Sequence, residues 1–407
     1  MLERMNLRGL RQIAEGAQQV LKNGLGTNSA TPDRPDDKAQ MQRGPLLVAR
    51  DAIMRSATRL RRAPDDTARG ALKSSAVLFP TGHTSSQRHP QITTLHSHCM
   101  ASELASIGAK ALEPIGKDVA VVLPTYHAEF SAPENRPVFE NIMKSLAEVP
   151  VGHIIIGLDG GTEEHLDTLI GIVRDHGLED RVTVHHNFGP GFEKLYAEIA
   201  ELHPSIQTKG KGRNMFMSVA VAKALGATSA VFVDADIRTF DASYVTSLAQ
   251  GVAKGGGIEL DFCKAYYHRV TRDKANGRVK QNLVVPLISA LEEVAMKQAV
   301  TSKDDEVAAG ALRAVELMKF LKGFEYPISG EIGASVDHLG RAGFAMNWAV
   351  EINHLVDAWE NARPLGEAPN IGQAPLGSGT FEHKHQSTGG NDKTAGLNNM
   401  CRHICDG

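Results

Sequence analysis

Cysteine is scarce in this chain. Four thiols, Cys99, Cys263, Cys401 and Cys405, are spread over 407 residues. That is too few and too scattered for a disulfide framework, and it points to a reducing compartment, with the cytoplasm as the expected location. No apolar run approaches the length of a membrane span. The N-terminus lacks the compact apolar region of a secretory signal, although its Arg-containing amphipathic opening leaves a transit peptide open. Aromatic residues are lean at 5%. The GxxxxGK[ST] spacing of a Walker A loop is absent. His96, His98 and Cys99 are followed by no second ligand pair at finger-like spacing, which argues against a zinc module.

What is present is a hydrophobic fraction of 42%, ample for a core. The length suits two or three average domains, or one large α/β domain with additions. The net charge of −3 hides an asymmetry: residues 1–115 carry 16 Lys and Arg against 10 Asp and Glu, and the remainder 28 against 37. A basic head on an acidic body predicts two differently behaving parts. Apolar positions at near-helical spacing from Leu7 to Leu21, a linker-like stretch over 25–45, a basic segment over 46–62 and an aperiodic stretch over 71–114 predict an extension, 1–115, partly helical or disordered. Such a segment could touch nucleic acid or an anionic membrane, but an arm without either role is the commoner outcome.

The centre of the chain is Ala230–Phe240, AVFVDADIRTF. Its apolar run reads as a buried strand that ends in Asp234-Ala235-Asp236. Two carboxylates at a strand's C-terminal end face the crevice where α/β sheets bind ligands. Asp-x-Asp there suits a hard divalent cation, Mg²⁺ or Mn²⁺, that also grips a diphosphate. The alternative is a pair of solvated turn acids before a helix beginning near Asp241. Upstream, Asp118–Leu123 reads as a strand that stops at Pro124, followed by a helix over 137–147. Val151–Leu158 is a second strand ending in Asp159-Gly160-Gly161, with Thr162 as a helix cap, and Arg181–His185 is a third. Strands alternating with helices at this pitch predict a doubly wound, mostly parallel sheet. Lys209-Gly210-Lys211-Gly212-Arg213 precedes a helix expected from Met215 to Leu225. Glycines and lysines at a helix start suit phosphates, because free N–H groups and ammonium charge converge there.

In order, VVLPTYHAE, LDGG, GKGRNM and FVDAD resemble nucleotide-sugar glycosyltransferases of the GT-A fold. The later pieces FCKAYY, GRV, Pro286-Leu287, Ser329-Gly330-Glu331, Val350-Glu351-Ile352 and EHKH narrow the resemblance to glucosyl-3-phosphoglycerate synthases, over about Lys117–His385. The resemblance implies a metal-dependent, retaining enzyme that links glucose from a nucleoside diphosphate donor, UDP-glucose, to the 2-hydroxyl of 3-phosphoglycerate. It implies a nucleotide-sugar-binding part over 116–260, an acceptor-binding and catalytic part over 261–390 and a tail over 391–407. Pro124, Thr125, Tyr126 and Glu129 resemble the uridine-side loop, with Asp159 as a further nucleotide contact and Lys211 as a phosphate contact. Asp234 and Asp236 resemble the sugar-nucleotide and metal aspartates, and His383 the late metal ligand. Gly277 and Arg278 resemble the acceptor-phosphate loop, and Glu351 the carboxylate beside the reacting sugar. Trp348 and His385 belong with the substrate-binding set. Three positions depart from the pattern: Lys280 stands where Thr is frequent, Trp348 where Tyr is, and Asp159-Gly-Gly where paired acids are.

The chemistry explains why such residues are needed. Sugar transfer leaves a charged diphosphate, which a cation at Asp236 and His383, with Lys211 nearby, would offset. Glu351, amid Ala349, Val350 and Ile352, is expected to hold the sugar or the acceptor hydroxyl, with no covalent nucleophile assigned. Arg278 and Lys280 combine a planar fork with a point charge, which suits an acceptor phosphate; a charged hairpin is the alternative. Helical spacing over 284–294 and 306–320 predicts an acceptor-side subdomain or a homodimer surface. Cys401 to Cys405 reads as part of a disordered tail rather than a metal site. Three functions compete: the transferase (including versions with a mannosyl donor or a glycerate acceptor), a sugar-phosphate nucleotidyltransferase and a non-catalytic sugar-nucleotide-binding protein. The first strand–helix loop, PTYHAEF, lacks the Gly-rich signature of the second.

Overall fold

A computed structural model describes residues 92–95, 101–187, 192–201, 204–271, 274–361, 370–376, 381–384 and 396–406. The expectations for residues 1–91 therefore lie outside the described residues. At its centre is a sheet of eight described strands in the order β1-β10-β6-β9-β5-β2-β3-β4. These are β1 (Ile92–Thr94), β2 (Val119–Tyr126), β3 (His153–Asp159), β4 (Val182–His186), β5 (Ser229–Phe232), β6 (Phe262–Tyr266), β9 (Ile332–Ser335) and β10 (Ile371–Pro375). A short hairpin, β7 (Val270–Thr271) with β8 (Lys274–Ala275), stands apart. All pairings in the main sheet are parallel except those of β9, which runs antiparallel between β5 and β6.

Continuous apolar runs make the central strands, since a parallel strand is covered on both faces. Val121, Ile155 and Val231 are fully buried, and Val121 is registered with both Ile154 and Val231. The helices lie on both faces. Consecutive β6 residues point opposite ways: Cys263 Sγ lies against Gly251 of the helix Ala242–Val252, whereas Lys264 reaches the helix Val350–Asn361. The chain runs from β2 to β3 and β4 on one side and to β5 on the other, so the order reverses beside β2. Ligands bind at such a switch point, outside the carboxyl ends of the strands.

The helix expected from Met215 begins four residues earlier, at Lys211, and runs to Ala224. Residues 345–346 cross directly over its first turn. A Cβ at Gly212 would overlap the carbonyl of Ala345, and the Arg213 N–H donates to the Met346 carbonyl at 3.2 Å. These glycines thus serve a close backbone crossing, and one of the N–H groups expected to be free for phosphate is already used.

Both ends of the expected body differ from the sequence reading. β1 and the helix Ala101–Leu112 lie within the expected extension 1–115. β1 pairs with β10, and the helix packs on Ala242–Val252, with Leu112 fully buried. Within the expected tail, Gly396–Asp406 is a helix whose Met400 and Ile404 pack against the core. The segments 284–294 and 306–320 belong to two packed helices, Val285–Thr301 and Asp305–Lys322. No described helix is long and apolar enough to cross a membrane.

Candidate active site

The apolar run of β5 carries the chain through the core and releases it at Asp234. Helix capping does not explain this acid or Asp236, because Asp241 is the cap of the next helix, accepting from the Ser243 N–H at 2.7 Å. The Lys211 Nζ donates to Asp234 Oδ1 at 2.5 Å and to Glu351 Oε1 at 2.9 Å. Glu351 occupies the first turn of its helix and is 7% exposed. Burial pushes its carboxyl pKa upward, and Lys211 offsets only part of that. Burial works against the charge of Lys211, but Asp234, Glu351 and Glu331 more than offset it and hold the pKa above the ordinary lysine range. The Lys264 Nζ, fully buried, donates to the backbone carbonyl of Glu351 at 2.9 Å. Burial lowers the pKa of Lys264 to about 8.

Around this ion pair lies a cavity of about 410 Å³. On one side it is lined by the ends of β2 and β3 with Pro124, Thr125, Tyr126, Glu129 and Asp159. Thr125 is buried and donates to the Leu123 carbonyl, whereas the Tyr126 side chain is 54% exposed. Asp159 accepts from Asn187 Nδ2 at 2.7 Å, and burial raises its pKa. Burial, followed by the charge of Asp236, also raises the pKa of Glu129, which sits 3.6 Å from the Lys384 ammonium. On the other side are Gly277, Arg278 and Lys280. Gly277 has φ of 89°, a conformation that favours glycine, with its Cα turned towards the Tyr326 hydroxyl. The Lys280 ammonium lies 4.9 Å from the centre of the Tyr326 ring. Trp348 completes this wall, its ring 5.8 Å from Lys211 Nζ.

The segment 381–384 runs beside the aspartates. His383 forms an antiparallel bridge with Ile237, and the Lys384 N–H donates to the Asp236 carbonyl at 3.2 Å. His383, Asp234 and Glu331 present donor atoms within 4.8 Å of one another. Asp236, the carboxylate expected to share a cation with His383, is half-buried beside this trio. Its pKa is raised by burial, against the nearby His383. The structure thus gathers the expected residues from Pro124 to His383 around one cavity; His385 lies outside the described residues.

Sequence reasoning assigned no role to Glu331, Tyr267, Lys264, Arg269 or Tyr326. Glu331, Tyr267 and Lys264 did stand in motifs that carried the resemblance. The signal available for Glu331 was an acid directly before the short segment IGAS, which forms β9. Lys264 offered a similar one, a lone lysine inside the strand FCKAY.

No family model matches the sequence. Glucosyl-3-phosphoglycerate synthase of Persephonella marina is 27% identical over 273 residues, covering 66% of this chain and 60% of that relative. Among solved structures, the Mycobacterium tuberculosis enzyme of the same name in complex with Mn²⁺, UDP and phosphoglyceric acid is 22% identical. Its TM-score is 0.48, and the match covers 77% of this chain and 82% of that one. The complex with Mn²⁺, UDP-glucose and phosphoglyceric acid gives the same identity and TM-score over 77% and 84%. The chain thus spans 60% of the length of the curated relative it matches, and in sequence it is similar to a glucosyl-3-phosphoglycerate synthase.

Proposed function

We propose that this chain is a metal-dependent, retaining glycosyltransferase that moves glucose from UDP-glucose to the 2-hydroxyl of 3-phosphoglycerate. The observation that carries the reading is that one cavity unites the Asp234–Lys211–Glu351 ion pairs with the Gly277–Arg278 loop. A sugar diphosphate and an anionic acceptor need these two halves facing each other.

The donor's base and ribose would lie against Pro124, Thr125, Tyr126 and Asp159, where strand ends and the exposed Tyr126 ring offer a flat surface and polar groups. Lys211, which lines the cavity and keeps its charge there, would meet the diphosphate. In the transfer, the anomeric C–O bond to the diphosphate breaks, the acceptor 2-oxygen bonds to that carbon, and the hydroxyl proton is released. Glu351 is placed to hold the transferred sugar or that hydroxyl. Arg278 and Lys280 would take the acceptor phosphate, whose two or three oxygens match a guanidinium fork and an ammonium.

The site fits a divalent cation. Asp234 and His383 offer oxygen and nitrogen donors within 4.8 Å of each other, and Asp236 lines the same cavity. Mg²⁺ or Mn²⁺ held by Asp234, Asp236 and His383 would neutralise charge on the leaving diphosphate.

The test is a transfer assay pairing UDP-glucose and GDP-mannose with 3-phosphoglycerate and glycerate, with Mg²⁺, with Mn²⁺ and with excess chelator. Cation-dependent glucosyl-3-phosphoglycerate formation is expected, with loss of most turnover in Asp236→Ala. Absence of any transfer product sinks the reading, and full activity in chelator sinks its metal component.

A further inference from the structure

Glu331 is fully buried directly ahead of β9, and both of its carboxylate oxygens face protein. The Tyr267 hydroxyl donates to Oε2 at 2.8 Å. Oε1 lies 3.3 Å from His383 Nε2, and neither buried atom makes an aligned hydrogen bond to any described residue. The same two anchors hold the segment that carries His383. The Phe381 ring stacks on Tyr267, with centroids 3.6 Å apart and planes 5° apart, and it also meets the Tyr244 ring at 5.4 Å and the His383 ring at 4.7 Å. Tyr267, Glu331 and His383 come from three distant stretches of sequence, yet they form one continuous chain of contacts.

A buried carboxylate with this placement has two candidate roles. It can bind a cation itself, or it can fix the imidazole that does. The hydrogen bond from Tyr267 takes one oxygen and the other faces the His383 imidazole at 3.3 Å, which favours the second role. We infer that Glu331 is a positioning residue. It accepts the Nε2–H of His383, fixes the ring's orientation and tautomer, and leaves Nδ1 as the lone-pair nitrogen for the cation. An imidazole with one nitrogen protonated presents a lone pair only on the other, so the acceptor chosen for Nε2–H decides which nitrogen is the ligand. Carboxylates that orient a metal-binding histidine in this way typically contribute 10–100-fold to metal affinity. The inference deepens the proposed function and rests on its assignment of His383 to a cation.

The test uses the full chain and Mn²⁺ alone, with free Mn²⁺ counted by electron paramagnetic resonance. Glu331→Met should weaken Mn²⁺ binding 10–100-fold, because it removes the acceptor. Glu331→Gln retains an acceptor oxygen and should recover most of that loss. In the metal-free wild type, ¹⁵N shifts of labelled histidine should report His383 as the Nε2–H tautomer, and Glu331→Met should abolish that preference. If Glu331→Gln is as damaging as Glu331→Met, Glu331 is a ligand and the inference is overturned. It is equally overturned if neither variant changes affinity or tautomer. Should Glu331→Met fail to fold, Tyr267→Phe decides: a drop of a few-fold is expected, and unchanged binding refutes the inference. Neither readout requires sugar transfer. A chain that shows these effects but transfers nothing loses the proposed function and keeps the inference, and an active chain without them does the reverse.

Discussion

The Lys211 ammonium and the Glu351 carboxylate meet at 2.9 Å although 140 residues separate them. Both side chains are only 8% exposed, so water does little to stabilise either charge. Removing one partner of such a pair typically costs about 3–5 kcal/mol, because the other charge is left buried and uncompensated. Lys211→Met should therefore lower the urea midpoint and abolish tight binding of UDP. Without Lys211, the Glu351 pKa rises further above its unfolded value. A raised carboxyl favours folding below the unfolded pKa and loses that benefit as pH rises through the folded one. The deficit of Lys211→Met should accordingly be larger at pH 8 than at pH 5.

Arg278 offers an independent handle on the acceptor. A charge-assisted contact to phosphate is worth about 1.5–3 kcal/mol, or roughly tenfold to over a hundredfold. Arg278→Ala should raise the KM for 3-phosphoglycerate by that order and leave UDP-glucose binding nearly unchanged. Initial-rate kinetics with each substrate varied in turn would show it. If glycerate outperforms 3-phosphoglycerate and Arg278→Ala does not alter the ranking, these residues do not form a phosphate pocket.

Acid should destabilise the fold through buried histidines that do not themselves line the cavity. Burial pushes His185 down to about 4, and His338 likewise to about 4. The unfolded chain binds these protons near pH 6.5. Each depressed imidazole thus favours folding fully above about pH 6.5, and the benefit is lost as pH falls towards 4. The loss is on the order of 3 kcal/mol per residue by pH 4. His185 Nε2 lies 2.8 Å from Ser218 Oγ. His185→Gln, which keeps a polar partner for that hydroxyl, should flatten the fall in urea midpoint between pH 7 and 4.5 relative to wild type.

Deleting residues 1–115 should cost the fold as well as the extension. It removes β1 and the Gln373 Nε2 to Thr94 Oγ1 hydrogen bond of 3.0 Å. It also removes the helix Ala101–Leu112, in which burying Leu112 alone is worth about 1.5–3 kcal/mol. A lowered melting temperature or insoluble product is expected, and a wild-type melting curve would contradict the contribution of these elements.

The legible parts of this fold are those whose local pattern survives without tertiary context. β2, β3 and β5 announce themselves as continuous apolar runs, and each stops at the polar groups that line the cavity. Asp234 and Lys211 could be singled out because strand ends and glycine-flanked lysines have a local signature. β1 and β10 have none. Three residues, ITT, are too few to show a period, and IGQAP contains the glycine and proline that usually argue against a strand. The start of the helix at Lys211 was hidden for a related reason. Two glycines lower helix propensity, and only the crossing of residues 345–346 shows why they are there. Glu331 was recorded as part of a motif but given no role, because its burial depends on Tyr267 and His383, which lie far from it in sequence.

The pairing of β1 with β10 also constrains how the chain matures. Gln373 and Thr94, which hydrogen bond across this pair, are 279 residues apart. At about 5–20 residues per second of synthesis, β1 leaves the ribosome roughly 15–55 s before its partner exists. From the completion of β6 until that of β10, β6 presents an unpaired edge, because β10 is its neighbour on that side. An open strand edge is a template for pairing with other chains. The nascent protein is therefore most exposed to misassembly late in translation, and the segment bearing His383 is made only after β10.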